Sequence, residues 1–382
     1  MSESESLEFA MKKIELARLD DSDLQPTVQA LSVNFEKDLC FLHMTQDILN
    51  HMKEGQVLTI RGELNDQAVI CTSSETYELK DAETSNSLML VPELIWPEED
   101  QGGPMRLVPQ KITGIFHDYY EMRRVKPSFK KLRNILDQSA FKGKEYESEI
   151  DHGKYTFGDL LDIIQSSEKE LESALEEMQT CVIDGFMRIL DFDYKFNVVS
   201  SVINVIESNS IPIDKIDKEV VISSLEDLEP RVILETFFLW FANSSDENGQ
   251  TLFALKEDAI CRLYGELLLR VAGKFHLEEF MESWQKSVPE GLKCSLEHLK
   301  GLALTDLTCS PTVIFHFPYL EMPENIAERF IKLFKVKTKW TYEEIVPYLE
   351  DRVHSLSEVK ALLVKYTRES TKDGIKLYSS KW

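Results

Sequence analysis

The stretch WTYEEIVPYLEDRVHSLSEVKALLVKYTRESTKDGIKLYSSKW, residues 340–382, decides how the rest of the chain is read. Thr341 with Glu344, and Ser355 with Glu358, each set a hydroxyl three residues ahead of a carboxylate, the pairing that satisfies the orphan amides of a helix start. Two helices therefore begin here. In the second, Val359, Leu362, Leu363 and Tyr366 fall at i, i+3, i+4 and i+7 and make a dry face, while Lys360, Lys365 and Arg368 land on the opposite side. Asp373-Gly374 supplies a turn between Thr367–Lys372 and Ile375–Ser379, because glycine accepts the positive φ of a tight hairpin. Lys372, Lys376 and Lys381 decorate that hairpin. Helix, turn, helix and two-stranded wing is the outline of a winged-helix domain. Pro347 is discordant: inside the first helix it removes a hydrogen bond, at roughly 3 kcal/mol, unless the helix bends or starts late.

Charge sets this end apart. Residues 331–382 hold 11 Lys/Arg against 7 Asp/Glu, a net of +4, whereas the other 32 basic and 60 acidic residues sum to −28. Only this module would be drawn to phosphate, through backbone contacts with a salt-dependent affinity and little base readout. Composition alone fits equally a solvated basic face on a protein adaptor, a common use of the winged helix.

At 382 residues the chain can hold two to four domains, and a net charge of −24 excludes a protein that coats nucleic acid along its whole surface. Cys40, Cys71, Cys181, Cys261, Cys294 and Cys309 are scattered, with no zinc-like spacing, and read as reduced thiols of a cytosolic or nuclear protein. The acidic start, Met1–Ala10, lacks a signal-peptide core, and no segment has the length of a membrane span, so a soluble intracellular protein is expected.

From about Glu15 to Met122 the texture is strands: Leu39–Met44, Val57–Arg61, Gln67–Cys71, Thr76–Lys80, Leu88–Val91 and Ile112–Met122, interrupted by a Pro/Glu/Gly-rich loop at Trp96–Pro104. Such a β domain either closes on itself or leaves edges for a partner strand. The candidate partner contacts are Val57, Thr59, Arg61, Val69, Tyr77, Leu79, Leu88 and Leu90, with Arg123 and Arg124. These two arginines open a basic cluster with Lys126, Lys130, Lys131 and Arg133 around Pro127, suited to an acidic partner, to phosphates, to import, or to a solvated helix start.

After a polar linker at about Ser139–Gly153, Thr156 with Asp159 and Ser167 with Glu170 cap two helices, the second burying Leu171, Ala174, Leu175 and Met178. Cys181–Ile183, Asp184-Gly185 and Phe186–Phe192 form a hairpin. The helix before this wing carries Glu168, Glu170, Glu172, Glu176 and Glu177, a face that repels DNA and suits a protein. Val198–Ile206 and Val232–Phe241 read as buried helices, Asp246–Gly249 as a break, and Lys256–Gly273 as a long helix. A third unit follows: Leu277–Trp284, a Pro289–Gly291 turn, a short helix capped by Ser295, and a hairpin of Leu302–Thr305 with Val313–Phe317.

Sites of chemistry are sparse. Gly143-Lys144, Gly153-Lys154 and Gly273-Lys274 lack the glycines and hydroxyls of a phosphate-binding loop, and no H-E-x-x-H, G-x-S-x-G or G-x-G-x-x-G occurs. Asp191 and Asp193 could hold a metal but have no further ligands in view. His316, between Phe315 and Phe317, and Trp240, Trp284 and Trp340 read as structural. No catalytic residue, metal or cofactor is expected.

The chain nonetheless resembles a known family, the "defective in sister chromatid cohesion" subunit of the alternative, RFC-like clamp loader. Gln67-Ala68-Val69-Ile70-Cys71, Thr76-Tyr77-Glu78-Leu79-Lys80 and Thr84-Ser85-Asn86 carry the likeness, with Trp284, Ser287-Val288-Pro289-Glu290-Gly291 and Leu299-Lys300-Gly301-Leu302-Ala303-Leu304. Lys339-Trp340-Thr341, Ile345–Tyr348 and Lys365-Tyr366-Thr367-Arg368 complete it. The resemblance implies an α+β protein: a β-rich partner-binding domain (1–122), part of a shared multi-chain β-barrel assembly, then three winged helices (123–193, 194–320 and the basic 321–382).

It further implies partners: the smallest loader subunit and the carboxy-terminal tail of the chromosome-transmission-fidelity large ATPase subunit in the barrel, and the catalytic subunit of DNA polymerase epsilon on the barrel and first winged helix. The carboxy-terminal winged helices would bind single- and double-stranded DNA, with Lys365 and Arg368 on the DNA-facing helix. The expected role is nuclear and non-enzymatic, without membrane: a complex that loads and unloads PCNA and supports cohesion while other subunits hydrolyse ATP. A winged-helix scaffold of another nuclear assembly, or a hydrolase built on Asp191 and Asp193, are the competing expectations.

Overall fold

The computed structural model describes residues 3–18, 27–33, 39–96, 99, 106–150, 153–247, 250–306, 310–372 and 374–381. The protein is α+β, and it divides into two compact units. Met1–Thr59, Gln67–Ile70 and Tyr77–Arg124 make the first; Ile60–Asp66, Cys71–Thr76 and Val125–Trp382 make the second.

The first unit opens with two elements that the strand-rich texture did not announce, α1 (Glu3–Ala17) and β1 (Thr27–Val33). Next in the chain come β2 (Leu42–His43), α2 (Gln46–Lys53), β3 (Thr59–Arg61), β4 (Val69–Cys71), β5 (Thr76–Leu90), β6 (Arg106–Ile112) and β7 (Gly114–Val125), of which Ile60, Arg61, Cys71, Thr76 and Val125 count with the second unit. β1 runs parallel to β6, Thr27 opposite Arg106 and Val33 opposite Ile112. The other strands form an open sheet in the order β2-β7-β5-β4-β3. Ile48 of α2, Ile70, Tyr77 and Met122 form a small core, with Leu42, Met44, Leu58 and Leu79 against it.

Several strand expectations need correction. α2 sits where only strands were expected; Thr45 caps it by accepting from the Ile48 amide, and Asp47 lies in its first turn. Leu39–Met44 shrinks to two strand residues because this helix begins so soon after. Thr76–Lys80 and Leu88–Val91 are one fifteen-residue strand, since Thr84-Ser85-Asn86 has no glycine to supply a hairpin turn and stays extended. Ile112 ends β6 rather than starting the next strand, and Gly114 opens β7. The Trp96–Pro104 loop, apart from Trp96 and Glu99, lies outside the described residues, as do Cys309, Asp373 and Trp382.

The second unit begins with α3 (Lys130–Gln138), α4 (Phe157–Ile163), α5 (Glu168–Glu177) and the hairpin β8 (Thr180–Ile183) and β9 (Phe186–Ile189). Thr156/Asp159 and Ser167/Glu170 form full capping boxes. Asp184 and Gly185 take φ of 52° and 85°, the pair of positive values that closes a two-residue hairpin. The segment expected as a polar linker is not a free tether. Phe141 is buried, its amide donates to Ile189 O at 2.8 Å, and residues Lys144–Glu149 coil into a 3-10 turn that holds Glu147 against Arg188.

One continuous core then runs from Phe141 and Cys181 through Val202, Phe237, Cys261 and Trp284 to Ile314. It is built by α6 (Phe192–Ser208), α7 (Lys218–Leu225), α8 (Arg231–Phe241), β10 (Ala242–Glu247), β11 (Gln250–Leu255), α9 (Glu257–Ala272), β12 (Lys274–His276), α10 (Leu277–Ser287), β13 (Ala303–Asp306) and β14 (Val313–His316). Of the expected break at Asp246–Gly249, Asp246 and Glu247 pair with Thr251 and Gln250 as the end of β10, and Asn248 and Gly249 lie outside the described residues. β12 adds a third strand, in the order β12-β14-β13. Trp284 is fully buried with its indole N–H donated to Cys261 O at 2.8 Å; Gly265 faces it because a Cβ there would lie 3.1 Å from the indole.

The terminal module is α11 (Ile326–Val336), β15 (Lys339–Trp340), α12 (Tyr342–Ile345), α13 (Leu356–Tyr366), β16 (Thr367–Lys372) and β17 (Ile375–Ser380), with the sheet order β15-β17-β16. Pro347 is accommodated because α12 stops at Ile345 and proline stands second in a separate 3-10 turn, Val346–Tyr348, where its missing N–H is not needed. Trp340, fully buried, stands at the centre of this core with Phe330, Leu333, Tyr348, Val359 and Leu363. Within the second unit this module also meets the chain's entry segment: Lys126 Nζ donates to Glu350 O at 2.9 Å and Arg352 to Pro127 O at 3.4 Å.

Candidate nucleic-acid interface

α13 is the element that presents cations. Ser355 accepts from the Glu358 amide and starts it, and Val359 and Leu363 are buried, with Leu362 and Tyr366 half-buried beside them. That inward stripe fixes the outward one: Ser357, Lys360, Ala361, Val364 and Lys365 are all exposed. Small or short side chains between two lysines let a flat surface come close to the helix backbone.

The helix ends earlier than its charge pattern suggested. Thr367 takes extended backbone (φ −126°, ψ 161°) and its hydroxyl donates to Leu363 O at 2.6 Å, so Arg368 belongs to β16 and not to the helix. Arg368 is exposed and donates to Lys381 O at 3.4 Å.

The three wing lysines differ. Lys372 is exposed and, like Lys360, has no ion pair among the described residues. Lys376 pairs with Glu369 across the hairpin at 2.8 Å, and that carboxylate raises its pKa. Lys381 lies past the end of β17 and donates its ammonium to Val364 O and Lys365 O, the bare carbonyls at the end of α13. Its charge is spent on the helix terminus, which leaves Lys360, Lys365, Arg368 and Lys372 as the outward set.

At the other end, the candidate partner contacts scatter. Val57, Thr59 and Leu88 are exposed, Val69, Leu79 and Leu90 half-buried, and Tyr77 is core. Arg61 points inward, donating to Leu161 O, and Gln165 donates to Arg61 O at 3.2 Å. Arg123 pairs with Glu121 at 3.1 Å, and Arg124 is exposed. The rest of the basic cluster is partly engaged as well, Lys131 with Glu63 at 2.7 Å and Lys126 as above. From Ser85 to Met89, five consecutive residues of β5 are exposed, so both faces of that strand are bare there.

Asp191 caps α6, accepting from the amides of Asp193 and Tyr194. Among the described residues no three His, Cys, Asp or Glu side chains gather as a metal site. Burial lowers the His316 pKa, and His316 is half-buried on β14. Two residues that pattern reading missed are Arg188 and Arg329, each almost wholly buried. Arg188 donates to both oxygens of Glu147 (2.9 and 2.8 Å) and to Ser139 O; Arg329 donates to both oxygens of Asp351, to Tyr348 O (2.9 Å) and to Pro323 O (2.7 Å). Arginine inside an otherwise regular helix or strand pattern reads as surface, and the only signal would have been its place at an inward register.

Relatives match nearly the whole chain. The family described as "Sister chromatid cohesion protein Dcc1" matches residues 39–349, a span that ends just before α13. The protein named "Sister chromatid cohesion protein DCC1" in Xenopus laevis is 38% identical over 386 residues, covering 99% of this chain and 99% of that protein. Its namesake in Mus musculus is 36% identical, covering 96% and 95%. The Saccharomyces cerevisiae protein of the same name is 24% identical over 79% of this chain and 84% of its own length. The chain is a member of the sister chromatid cohesion protein Dcc1 family.

Proposed function

We propose that this chain is a non-enzymatic adaptor that supports sister chromatid cohesion as a subunit of the alternative RFC-like clamp loader in the nucleus, tethering a complex that loads and unloads PCNA to DNA polymerase epsilon and to DNA. The observation that carries this reading is the segregation of charge: four outward cations on and beside α13, in a module of net +4, at the end of a body of net −28. A polyanion is accepted at one place and repelled elsewhere. The relatives' name supplies the process, and the near-complete coverage supports carrying it over.

On this reading the groups around α4–α5, α9–α10 and α12–α13 are three winged helices. The edge strands β2 and β3 offer backbone to added strands, and the stretch Ser85–Met89 of β5, bare on both faces, is surface for the large ATPase subunit's tail and the smallest loader subunit to cover in a shared barrel. Co-expression with those two subunits tests it: a stoichiometric complex that retains the polymerase epsilon catalytic subunit and binds short DNA with a steep salt slope is expected. A chain that elutes alone, or binds DNA independently of salt, overturns it.

A further inference from the structure

α11 turns a second side to solvent. Phe330 and Leu333 are buried in the module core, whereas Ala327, Ile331, Lys335 and Thr338 are exposed and fall on one stripe of the helix. With Phe334 and, from the end of β17, Ser380, they line a groove of roughly 750 Å³. Between Ala327 and Thr338 the helix rises about 16 Å, or three turns. Ile331 is 61% exposed in the middle of that stripe, and Phe334 is held nearly parallel to the buried Phe330, 6.1 Å between centroids and 17° between planes. The apolar wall is thus set in place by the core behind it.

Charge says what kind of occupant fits. Residues 326–340 hold five basic residues and one acidic. Three of the five are engaged: Arg329 with Asp351, Lys332 with the Glu321 carbonyl and Lys337 with Glu344. Lys335 on the groove wall, and Lys339 on β15 opposite Ser379 of β17, are exposed without an ion pair among the described residues. The one acid, Glu328, stands in the first turn of α11, away from both. An occupant that satisfies this surface is apolar along three turns and acidic where it meets the last turn of α11. Besides Lys335, only Thr338 and Ser380 bring polar side chains to the lining, few for orienting a small polar metabolite.

We infer that the groove along α11 docks a short amphipathic helix of an acidic protein partner. Apolar side chains at i, i+4 and i+7 of that helix cover Ile331 and Phe334, and its carboxylates meet Lys335 and Lys339, the helix-in-groove mode of recognition. The docking is independent of the reading of α13 as a DNA surface, since it uses neither Lys360 nor Lys365. A nucleic-acid strand would take the two ammonium groups and leave the aliphatic stripe of Ala327 and Ile331 uncovered. The acidic body of the chain works for specificity, because an acidic peptide is repelled from most of it.

The test uses the full chain, fluorescence anisotropy and two labelled peptides of about 14 residues, long enough to hold a helix. One carries Leu, Leu and Phe at i, i+4 and i+7 with Glu on both flanks; the other keeps every Glu and has Ser at the three anchor positions. The first should bind at least about tenfold tighter than the second. Ile331→Ser should weaken it about tenfold, and Lys335→Glu with Lys339→Glu by a similar factor. All three positions are exposed, so these variants keep the fold. Lys360→Glu with Lys365→Glu should leave peptide affinity as it is, and Ile331→Ser should leave duplex binding as it is. Absence of binding, equal binding of the two peptides, or an affinity that Ile331→Ser does not move overturns the proposal. So does loss of the peptide in the Lys360/Lys365 variant, which would make the attraction one of net charge. A single-stranded oligonucleotide that displaces the peptide and is itself weakened by Ile331→Ser gives the groove to nucleic acid. Self-association of the chain that Ile331→Ser abolishes gives it to a second copy; either result overturns the assignment.

Discussion

The helix pair and hairpin at residues 156–189 and the terminal module at 341–380 follow the same recipe on opposite skins. In both, a hydroxyl–carboxylate box starts a helix, a second capped helix follows, and a hairpin closes through a glycine with positive φ, 85° at Gly185 and 81° at Gly374. Against each packs a nearly inaccessible arginine, Arg188 on β9 and Arg329 on the preceding α11, that grips a carboxylate with two hydrogen bonds and donates to backbone carbonyls besides, one for Arg188 and two for Arg329. Outward, α5 shows Glu168, Glu172, Glu176 and Glu177, where α13 shows Lys360, Val364 and Lys365. Shape is set by what is buried, and choice of partner by what is not.

The interior half of that statement gives the largest expected effects. Arg329→Met takes the partner from Asp351 and two carbonyls, and Arg188→Met leaves Glu147 with Lys154 alone and takes the donor from Ser139 O. With each carboxylate partly exposed, the loss should lie near the low end of the buried-pair range, about 3 kcal/mol, and lower for Arg188→Met. Denaturant unfolding followed by tryptophan emission should register Arg329→Met strongly, since Trp340 lies in the same core. A loss below about 1 kcal/mol in either variant would mean that the arginines are incidental and the two groups alike only in outline.

Glu147→Gln sharpens the point through pH. Hydrogen bonds from Arg188, then from Lys154, hold the Glu147 carboxyl below its ordinary value of 4.5. A carboxylate lowered in the folded state contributes stability that is complete above the unfolded value and fades as pH falls through the folded one. The amide variant should therefore lose roughly 1.5–3 kcal/mol at neutral pH, the worth of a charged hydrogen bond, and converge with the unmodified protein in strong acid. Parallel stability curves across that range would remove Glu147 from the account.

Much of this was legible in the sequence, and the omissions have physical causes. Thr156, Ser167, Thr341 and Ser355 announced their helices because a cap is a local device; Asp184-Gly185 announced its turn for the same reason. Trp284 and Trp340 read as core and are. What failed was whatever distant partners decide. Thr76–Leu90 runs on as one strand beside its neighbours where no turn glycine breaks it; the Ser139–Gly153 segment is pinned at Phe141 and Glu147 by Ile189 and Arg188, which lie outside it; Arg61, Arg188 and Arg329 look solvated until their carbonyl and carboxylate partners are placed. Lys381, read as a wing cation, is drawn to the carbonyls of α13 by the fold of the hairpin. The charge difference between the ends was visible in a simple count, but not which cations remain outward.

The exterior half of the comparison is testable by exchange. Lys360→Glu with Lys365→Glu should lower the dependence of log affinity on log salt by about 2 and weaken duplex binding about tenfold, ~1.4 kcal/mol. Glu172→Lys with Glu176→Lys should leave binding at physiological salt unchanged, because α5 lacks the adjoining cations of a wing. If the acidic-to-basic exchange alone created a second site of equal affinity, net face charge would suffice and the arrangement around α13 would be irrelevant.

The smallest effects test whether the two groups rely on their caps to the same degree. Thr156 and Thr341 each accept from the amide three residues on, Asp159 at 3.2 Å and Glu344 at 3.3 Å, while the carboxylate returns a bond to the threonine amide at 2.8 and 3.0 Å. Alanine at either position frees one amide donor and should cost about 1 kcal/mol. The contexts nevertheless differ: the Asp159 carboxylate is held by the Thr156 hydroxyl and amide, whereas that of Glu344 also receives Lys337 Nζ at 2.5 Å. A carboxylate anchored by a lysine stays in place when the hydroxyl is lost. Thr341→Ala should therefore be the milder variant by a few tenths of a kcal/mol, and adding Lys337→Met to it should bring the loss up to that of Thr156→Ala. Equal losses in the two single variants, measured by urea unfolding, would show that the lysine contributes nothing to the cap.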